Sequence, residues 1–432
     1  MPRRRANPPL RVYQNNRLVG RLTKDPSGAI AFRYDESWLA NASSFPISLS
    51  LPFRDDPYRG APVIAVFENL LPDSEALRRK VAERVGAASS DAYGLLAAIG
   101  ADCVGALQFV SGDDEVAETG GIDGEPVDDE AIERILKNLA RAPLGLARDD
   151  EFRISIAGAQ EKTALLRLNG QWLKPHGTTP TTHILKPQIG EVHGIDLANS
   201  VENEFYCLRL LAAFGLPVAK AEIHRFGATK ALVVERFDRH WTKDDRLLRL
   251  PQEDCCQALS VPPSHKYESD GGPGVEAIID LLNGADDPAQ DHATFFKTQI
   301  LFWLIGATDG HAKNFSVFLS PGGGFRMTPL YDVLSAQPSL ESYQVRRNQM
   351  KLAMSVGTNR HYRMDEILGR HFLESGARAG LPKKFMAAAI DKVADKAPAA
   401  LAAVESSLPR DFPATIHTAV TDAVNARLRA LR

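Results

Sequence analysis

Residues 303–318 read WLIGATDGHAKNFSVF. The run that enters this stretch, ILFWLIGA over 300–307, is apolar throughout. It is far shorter than the roughly 20 residues needed to cross a bilayer, so it predicts a buried helix. A short polar loop follows, carrying Asp309, Gly310 and Asn314, and then the alternating segment Asn314–Leu319 predicts a strand. Gly310 allows a tight backbone turn. A carboxylate and a carboxamide five positions apart on one loop suit two tasks. The Asp can accept or orient a hydroxyl proton, and the Asn carbonyl oxygen is a hard ligand for Mg²⁺. Alone, the pattern is short, and a capping Asp beside a turn Asn explains it as well.

The surrounding chain changes that balance. The same spacing occurs in the catalytic loop of protein kinases. Downstream, after the Gly-rich turn PGGGF (321–325), comes Asp332 in PLYD. A hairpin leading back would bring this second carboxylate to the loop, and two oxygen ligands suit a phosphate-bridging Mg²⁺. Upstream, Lys186 ends a short apolar strand in THILKP (182–187), where a lysine could neutralise phosphates. Glu204, on the helix that follows, could hold it. In SIAGAQEKT (155–163) small residues leave backbone N–H groups free to face phosphate, although G-x-x-x-x-G-K-[ST] is not satisfied. Glu235 and Phe237, at the end of the strand ALVVE, resemble a hinge where backbone groups read adenine. His311 is either a catalytic-loop residue or a satisfied core histidine. Taken singly, each has a plain structural reading: a turn Asp, a snorkelling Lys, a solvated Glu, a small-residue turn, an ordinary strand end.

Bulk properties set the frame. The chain's 432 residues allow two or three domains, and 44% hydrophobic with 24% charged residues is ordinary for a globular protein. A net charge of −3 offers no whole-molecule field for nucleic acid. Cys103, Cys207, Cys255 and Cys256 form no C-x-x-C pair, which predicts a reduced, cytoplasmic chain. The basic start MPRRRANPP has no apolar run behind it, so neither a signal peptide nor a membrane partner is expected. H-E-x-x-H and G-x-S-x-G are absent, which argues against a zinc hydrolase and an α/β-hydrolase.

The expected fold is α+β. Residues 1–112 form a β-rich subdomain with strands at LRVYQ, RLVGRL, AIAFRY and PISLSLP (46–52), and a helix EALRRKVAERV capped by Asp73 or Ser74 and ended by Gly86. Residues 112–130, acidic and Gly-bearing, read as a solvated linker. Residues 131–254 form a mixed α/β lobe, with strands at 162–168, 183–185 and 231–235 and a helix over 201–214. Residues 255–432 form a mainly helical lobe, clearest at 295–307 and 384–404.

These pieces occur together and in order in one family. The chain resembles the HipA family of bacterial toxin kinases, on FRISIAGAQEKTALL (152–166), TPTTHILKP (179–187), ENEFYCLRLL (202–211), ALVVERFDR (231–239), LRLPQEDCCQ (248–257), KYESDGGPG (266–274), WLIGATDGHAKNFSVF (303–318) and LYDVLSA (330–336), with NLLPDS (69–74) and VGAL (104–107) nearer the start. Pro187 directly after the lysine and the doubled Cys255-Cys256 are small departures. The resemblance implies a two-lobed protein-kinase-like fold and a serine/threonine-protein kinase that uses ATP and Mg²⁺. Asp309 would be the catalytic Asp, and Asn314 and Asp332 would bind Mg²⁺. Lys186 would contact the ATP phosphates, with Glu204 as its supporting ion pair. Ala157, Gly158, Ala159 and Gln160 would cover the phosphates, Glu235 and Phe237 would lie at the adenine, and His311 would stand beside the nucleotide. Ser155 would be autophosphorylated, ejecting its loop. The family further implies an aminoacyl-tRNA synthetase substrate, glutamyl-tRNA synthetase first, and a HipB-type DNA-binding antitoxin with operator DNA. Lys383, Lys384 and Arg378 could touch that DNA or simply be a solvated helix start. Two alternatives stand beside this reading: a HipA-like kinase with another substrate, and an ATP-binding corepressor acting through the antitoxin.

Overall fold

The structure, a computed structural model, describes residues 7–112, 121–146, 152–158 and 160–432. The chain separates into two units, and the fold class is α+β as expected. Unit 1 holds residues up to Pro187, His224–Ser264 and Ser316–Phe325; unit 2 holds Gln188–Ile223, His265–Phe315 and Arg326–Arg432.

Unit 1 begins with strands β1 (Leu10–Gln14), β2 (Arg17–Lys24), β3 (Ile30–Tyr34), β4 (Tyr58–Arg59) and β5 (Leu107–Val110), in the order β4-β3-β2-β1-β5. Asn15 and Asn16 take φ of 44° and 65°, the left-handed pair a two-residue hairpin loop requires, and so set Gln14 opposite Arg17. Leu10 and Val12 face inward, onto helices α1 (Ala61–Glu68), α2 (Glu75–Val85) and α3 (Ala92–Ile99). Ser74, rather than Asp73, caps α2 by accepting the Leu77 N–H, and Gly86 ends it at φ 68°.

One expected strand is not there. Residues 46–52 form turns, because their polar groups bond elsewhere. The Leu49 N–H donates to Glu253 Oε1 at 2.7 Å, and Ser50 Oγ donates to the Gln257 carbonyl at 2.8 Å. The expected linker is also partly structured. Gly124–Pro126 forms β6, and Asp128 caps helix α4 (Asp129–Lys137) through the Ala131 N–H.

A second sheet in unit 1 includes β7 (Thr163–Leu168), β8 (Gln171–Pro175), β9 (His183–Pro187) and β10 (Thr229–Glu235), in the order β10-β9-β7-β8-β6. Its apolar face covers Ile132 and Leu136 of α4. Strand β11 (Gln252–Asp254) pairs with β12 (Ser316–Leu319).

The two sheets are joined by a buried ionic network. The Asp102 carboxylate accepts hydrogen bonds from Arg236 (3.2 Å), Arg239 (2.8 Å), Arg249 (2.9 Å), and both the N–H and the hydroxyl of Thr181. Asp238 accepts from Arg236 and from the Gly105 N–H. Although burial opposes its charge, the three guanidinium groups hold the Asp102 carboxyl well below the usual carboxylate range. Burial and the neighbouring Arg236 charge push Arg239 down to about 10, so it stays cationic at neutral pH.

Unit 2 is mainly helical: α5 (Ser200–Ala213), α6 (Val275–Leu282), α7 (Pro288–Ile305), α8 (Gly369–Arg378), α9 (Lys383–Ser407) and α10 (Ala414–Leu431). Helix α7 is capped by Asp287 and ended by Gly306 at φ 75°. Its apolar residues are buried on every side, as the sequence predicts for a central helix. Trp303 packs on Phe372 and donates its indole N–H to the Met364 carbonyl. Among the described residues no helix is long and apolar enough to cross a membrane.

Two outcomes follow for unit 1. Asp102→Ala leaves three buried arginines without their common carboxylate. It is expected to destabilise by roughly 3–5 kcal/mol, read as a lower urea midpoint. Glu253 is fully buried, and burial pushes its carboxyl up to about 8, above the unfolded value of about 4.3. Its neutral form therefore suits the fold. The associated stability is complete below about pH 4 and is lost as pH rises through about 8. Glu253→Gln is expected to raise the thermal midpoint at pH 8–9 and leave it nearly unchanged at pH 4.

Candidate functional site

The residues singled out in the sequence fall into two groups, one in each unit. In unit 1, Lys186 is buried on β9 in register with Leu232 of β10. One residue separates Glu235, exposed at the end of β10, from Phe237, whose ring packs edge-on against Phe318 at 5.8 Å. Between them Arg236 faces the opposite way into the Asp102 network. Strand alternation thus leaves Glu235 outside while burying its neighbour.

The small-residue segment before β7 is pinned at both ends. Ser155 is fully buried; its N–H donates to the Asp102 carbonyl (2.9 Å) and its hydroxyl to the Leu70 carbonyl (2.8 Å). Gly158, at φ 107°, bridges to Pro72. The Pro72 turn is itself fixed by Arg78, which donates to the carbonyls of Pro72 and Glu68. Lys162 donates its ammonium to the Ala157 carbonyl at 2.8 Å, and a Cβ on Gly158 would stand 2.6 Å from that nitrogen. Gln160 donates to the Pro187 carbonyl at 3.4 Å, next to Lys186. Ala159 lies outside the described residues.

In unit 2 the end of α7 delivers the central loop. The His311 N–H donates to the Asp309 carbonyl (2.9 Å), and the Asn314 amide NH₂ donates to the same oxygen (2.6 Å). With its NH₂ so engaged, Asn314 has its carbonyl oxygen as the atom to offer elsewhere. The Asp309 side chain is 58% exposed. The Tyr267 hydroxyl donates to its Oδ1, and His311 Nε2 lies 3.9 Å from the same oxygen. The structure buries His311 and packs its ring against Tyr267, consistent with either reading of that histidine.

Asp332 stands at φ 59°, a conformation uncommon for a residue with a Cβ. Its neighbours hold it there. Leu330 exchanges backbone hydrogen bonds with Pro217 and Ala219. The Tyr331 hydroxyl donates to the Lys313 carbonyl at 2.8 Å, so the residue before Asp332 meets the residue before Asn314. Asn203 of α5 bonds Ser335 both ways, at 2.8 and 2.9 Å, and Ser335 Oγ donates to the Ile305 carbonyl. Glu204 is buried on α5 in unit 2, while Lys186 belongs to unit 1. Arg378 is paired with Glu276 at 3.0 Å, and Lys383 and Lys384 are exposed at the start of α9.

Sequence reading assigned no role to Asn203, Lys162 or Tyr267. Each lies inside a stretch already singled out, ENEFY, GAQEKT or KYESDGGPG. Their types carry no chemical signature, because they bond main-chain atoms or a carboxylate.

Among the described residues no three His, Cys, Asp or Glu side chains gather to hold a metal on their own. Mg²⁺ does not need such a cage. It takes one or two protein ligands and completes its shell with water and phosphate oxygens, a mode that Asn314 and Asp332 fit.

Comparison with known proteins decides the family. The HipA-like C-terminal domain matches residues 154–401, and the HipA N-terminal domain matches residues 10–110. This chain belongs to the HipA family. A relative in Sinorhizobium fredii named as a kinase, Y4mE, is 38% identical over 354 residues, covering 81% of this chain and 80% of its own length. The Serine/threonine-protein kinase toxin HipA of Shewanella oneidensis is 28% identical over 414 residues, covering 93% and 90%. The HipA chain in the solved complex of Shewanella oneidensis HipA, HipB and operator DNA superposes with a TM-score of 0.81, at 26% identity over 98% of each chain. The protein is therefore a HipA-type kinase by kinship, with the HipA fold.

Gly310 tests how firmly the central loop is seated. A Cβ there would stand 2.4 Å from the Phe302 ring. Gly310→Ala is expected to destabilise by roughly 1–3 kcal/mol through overpacking, measured as a fall in the urea midpoint.

Proposed function

We propose that this HipA-type chain transfers phosphate from ATP, with Mg²⁺, to serine or threonine hydroxyls. Asp309 receives and orients the acceptor hydroxyl, and Asn314 and Asp332 hold the metal. Lys186, steadied by Glu204, neutralises the phosphates. Ala157–Gln160 cover them, Glu235 and Phe237 meet the adenine, and His311 borders the nucleotide. When bound, Mg²⁺ would neutralise charge on the phosphate oxygens. The observation that carries this reading is the shared carbonyl of Asp309. It accepts both the His311 N–H and the Asn314 amide, so the carboxylate and the metal-ligating oxygen are fixed on one small turn. Phosphoryl transfer depends mainly on positioning and electrostatics, and this turn supplies position.

The surroundings of Ser155 support autophosphorylation as an off-switch. Its oxygen now donates a hydrogen to the Leu70 carbonyl inside a fully buried site. A phosphoserine has no hydrogen on that oxygen and carries about −1.5 to −2 charges. It would face the Leu70 carbonyl as acceptor against acceptor, so the segment around Ser155 would have to leave. We assign an aminoacyl-tRNA synthetase as the external substrate, with glutamyl-tRNA synthetase the first to try. A HipB-type antitoxin on operator DNA is the partner, by kinship with the Shewanella complex that contains HipB and operator DNA. The setting is cytoplasmic.

The test is peptide mass spectrometry of wild type and Asp309→Gln after incubation with ATP and Mg²⁺. A single phosphate on Ser155 in the wild type alone is the expected result. Phosphate on both proteins would remove Asp309 from the centre. Nucleotide binding without transfer, to Ser155 or to added synthetase, would favour the corepressor alternative.

A further inference from the structure

Tyr267 is the only described side chain that donates a hydrogen bond to the Asp309 carboxylate. Its place is built with care. The Tyr267 carbonyl accepts the N–H groups of Asp270 (3.1 Å) and Gly272 (2.9 Å), and the Lys266 carbonyl accepts the Ala312 N–H from the central loop. A Cβ on Gly272 would stand 1.9 Å from the His265 carbonyl oxygen, so only glycine closes this turn. The next residue, Glu268, is tied by Ser355 Oγ and Arg360, each at 3.0 Å. The backbone on both sides of Tyr267 is thus fixed. The ring stands edge-on to His311 at 4.9 Å, and the hydroxyl can reach one carboxylate oxygen.

That oxygen is Oδ1. Among the described residues Oδ2 has no hydrogen-bond partner, and the carboxylate is more than half exposed. A carboxylate on a surface loop turns freely about its last bond, a broad two-fold torsion. A donor on Oδ1 ends that freedom and leaves Oδ2 as the fixed acceptor.

We propose that Tyr267 is a positioning residue, whose hydroxyl clamps Oδ1 of Asp309 so that Oδ2 is presented to the acceptor hydroxyl of the protein substrate. The proposal rests on the kinase reading of Asp309. Tyr267 itself exchanges no atom with the substrate. Its effect is to remove unproductive orientations of the carboxylate, and misplacement of about 1 Å can lower a rate by about 100-fold.

The experiment uses the full-length chain. Tyr267→Phe keeps the ring against His311 and removes only the donor; equal thermal midpoints would verify that the fold is retained. Phosphate incorporation is followed at several ATP concentrations, with nucleotide affinity measured separately by a fluorescent ATP analogue. The expected result is a kcat about 10- to 100-fold lower, with KM for ATP and nucleotide affinity unchanged. An unchanged kcat, or a change in KM alone, would overturn the proposal. A faster Tyr267→Phe would overturn it too, since the phenol would then be competing with the substrate hydroxyl. Wild-type protein that binds nucleotide but transfers no phosphate to any acceptor would sink the kinase reading and this proposal together. An active wild type matched by an equally active variant would sink this proposal alone.

Discussion

A carboxylate buried beneath three arginines is unfavourable unless every charge finds a partner, and Asp102 is where unit 1 meets that condition. Its two oxygens gather Arg236 and Arg239 from the end of β10, Arg249 from just before β11, and Thr181 from just before β9. Two aspartates face three arginines, and the excess positive charge is met by carbonyls. Cys103 accepts from Arg236 and Arg239, Gly105 from Arg239, and Thr178 from Arg249. Nothing in this cluster can move alone, because each departure strands another charge. Segments distant in sequence are thereby held in one register.

The same residue reaches toward the proposed chemistry through its backbone. The Asp102 carbonyl takes the Ser155 N–H, while Leu70, fixed in the turn that Arg78 braces, takes the Ser155 hydroxyl. The small-residue segment is therefore held by two main-chain acceptors on the first part of the chain. A neutral hydrogen bond contributes about 0.5–1.5 kcal/mol net. Burial of Phe152, Ile154 and Ile156 in the same core as Leu70 and Leu71 adds to these bonds. A switch at Ser155 would therefore have to break both the hydrogen bonds and the apolar contacts of its segment, while the Asp102 side-chain network beside it is held by its own charges.

Much of this architecture was legible in the sequence, for reasons that can be named. Helices α2 and α5 could be read because glycines just past their last turns mark where each stops, and α7 because its run is apolar throughout, although the expected span 295–307 overran Gly306 and missed the first turns from Pro288. The central loop was legible because few residue types can orient a hydroxyl or offer a hard oxygen. Residues 46–52 misled because alternation reports which side chains are buried, not where backbone groups bond; theirs meet Glu253 and Gln257 instead of a neighbouring strand. The Asp102 network was invisible for another reason. Its members lie up to 147 positions apart, and a single Asp or Arg in a sequence looks like a solvated charge.

The residues that could be read and those that could not differ in how far a proposed chemistry restricts their type. Asp309, Asn314, Asp332 and Lys186 were singled out because the proposed chemistry restricts their types. Asn203, Lys162 and Ser335 spend their polar atoms largely on main-chain groups of this chain. A carbonyl accepts from any donor, so pattern alone cannot reveal such a residue. Asp332 shows why they matter. A left-handed backbone is unfavourable for a residue with a side chain and persists only where the surroundings over-determine it. Leu330 is fixed by Pro217 and Ala219 on one side, and Ser335 by Asn203 and Ile305 on the other. These bonds fall within three residues on either side of Asp332, leaving little slack for it to relax. The strain at Asp332 is thus carried by residues with no chemistry of their own, which is the physical sense in which the geometry of a proposed ligand is made by the fold around it.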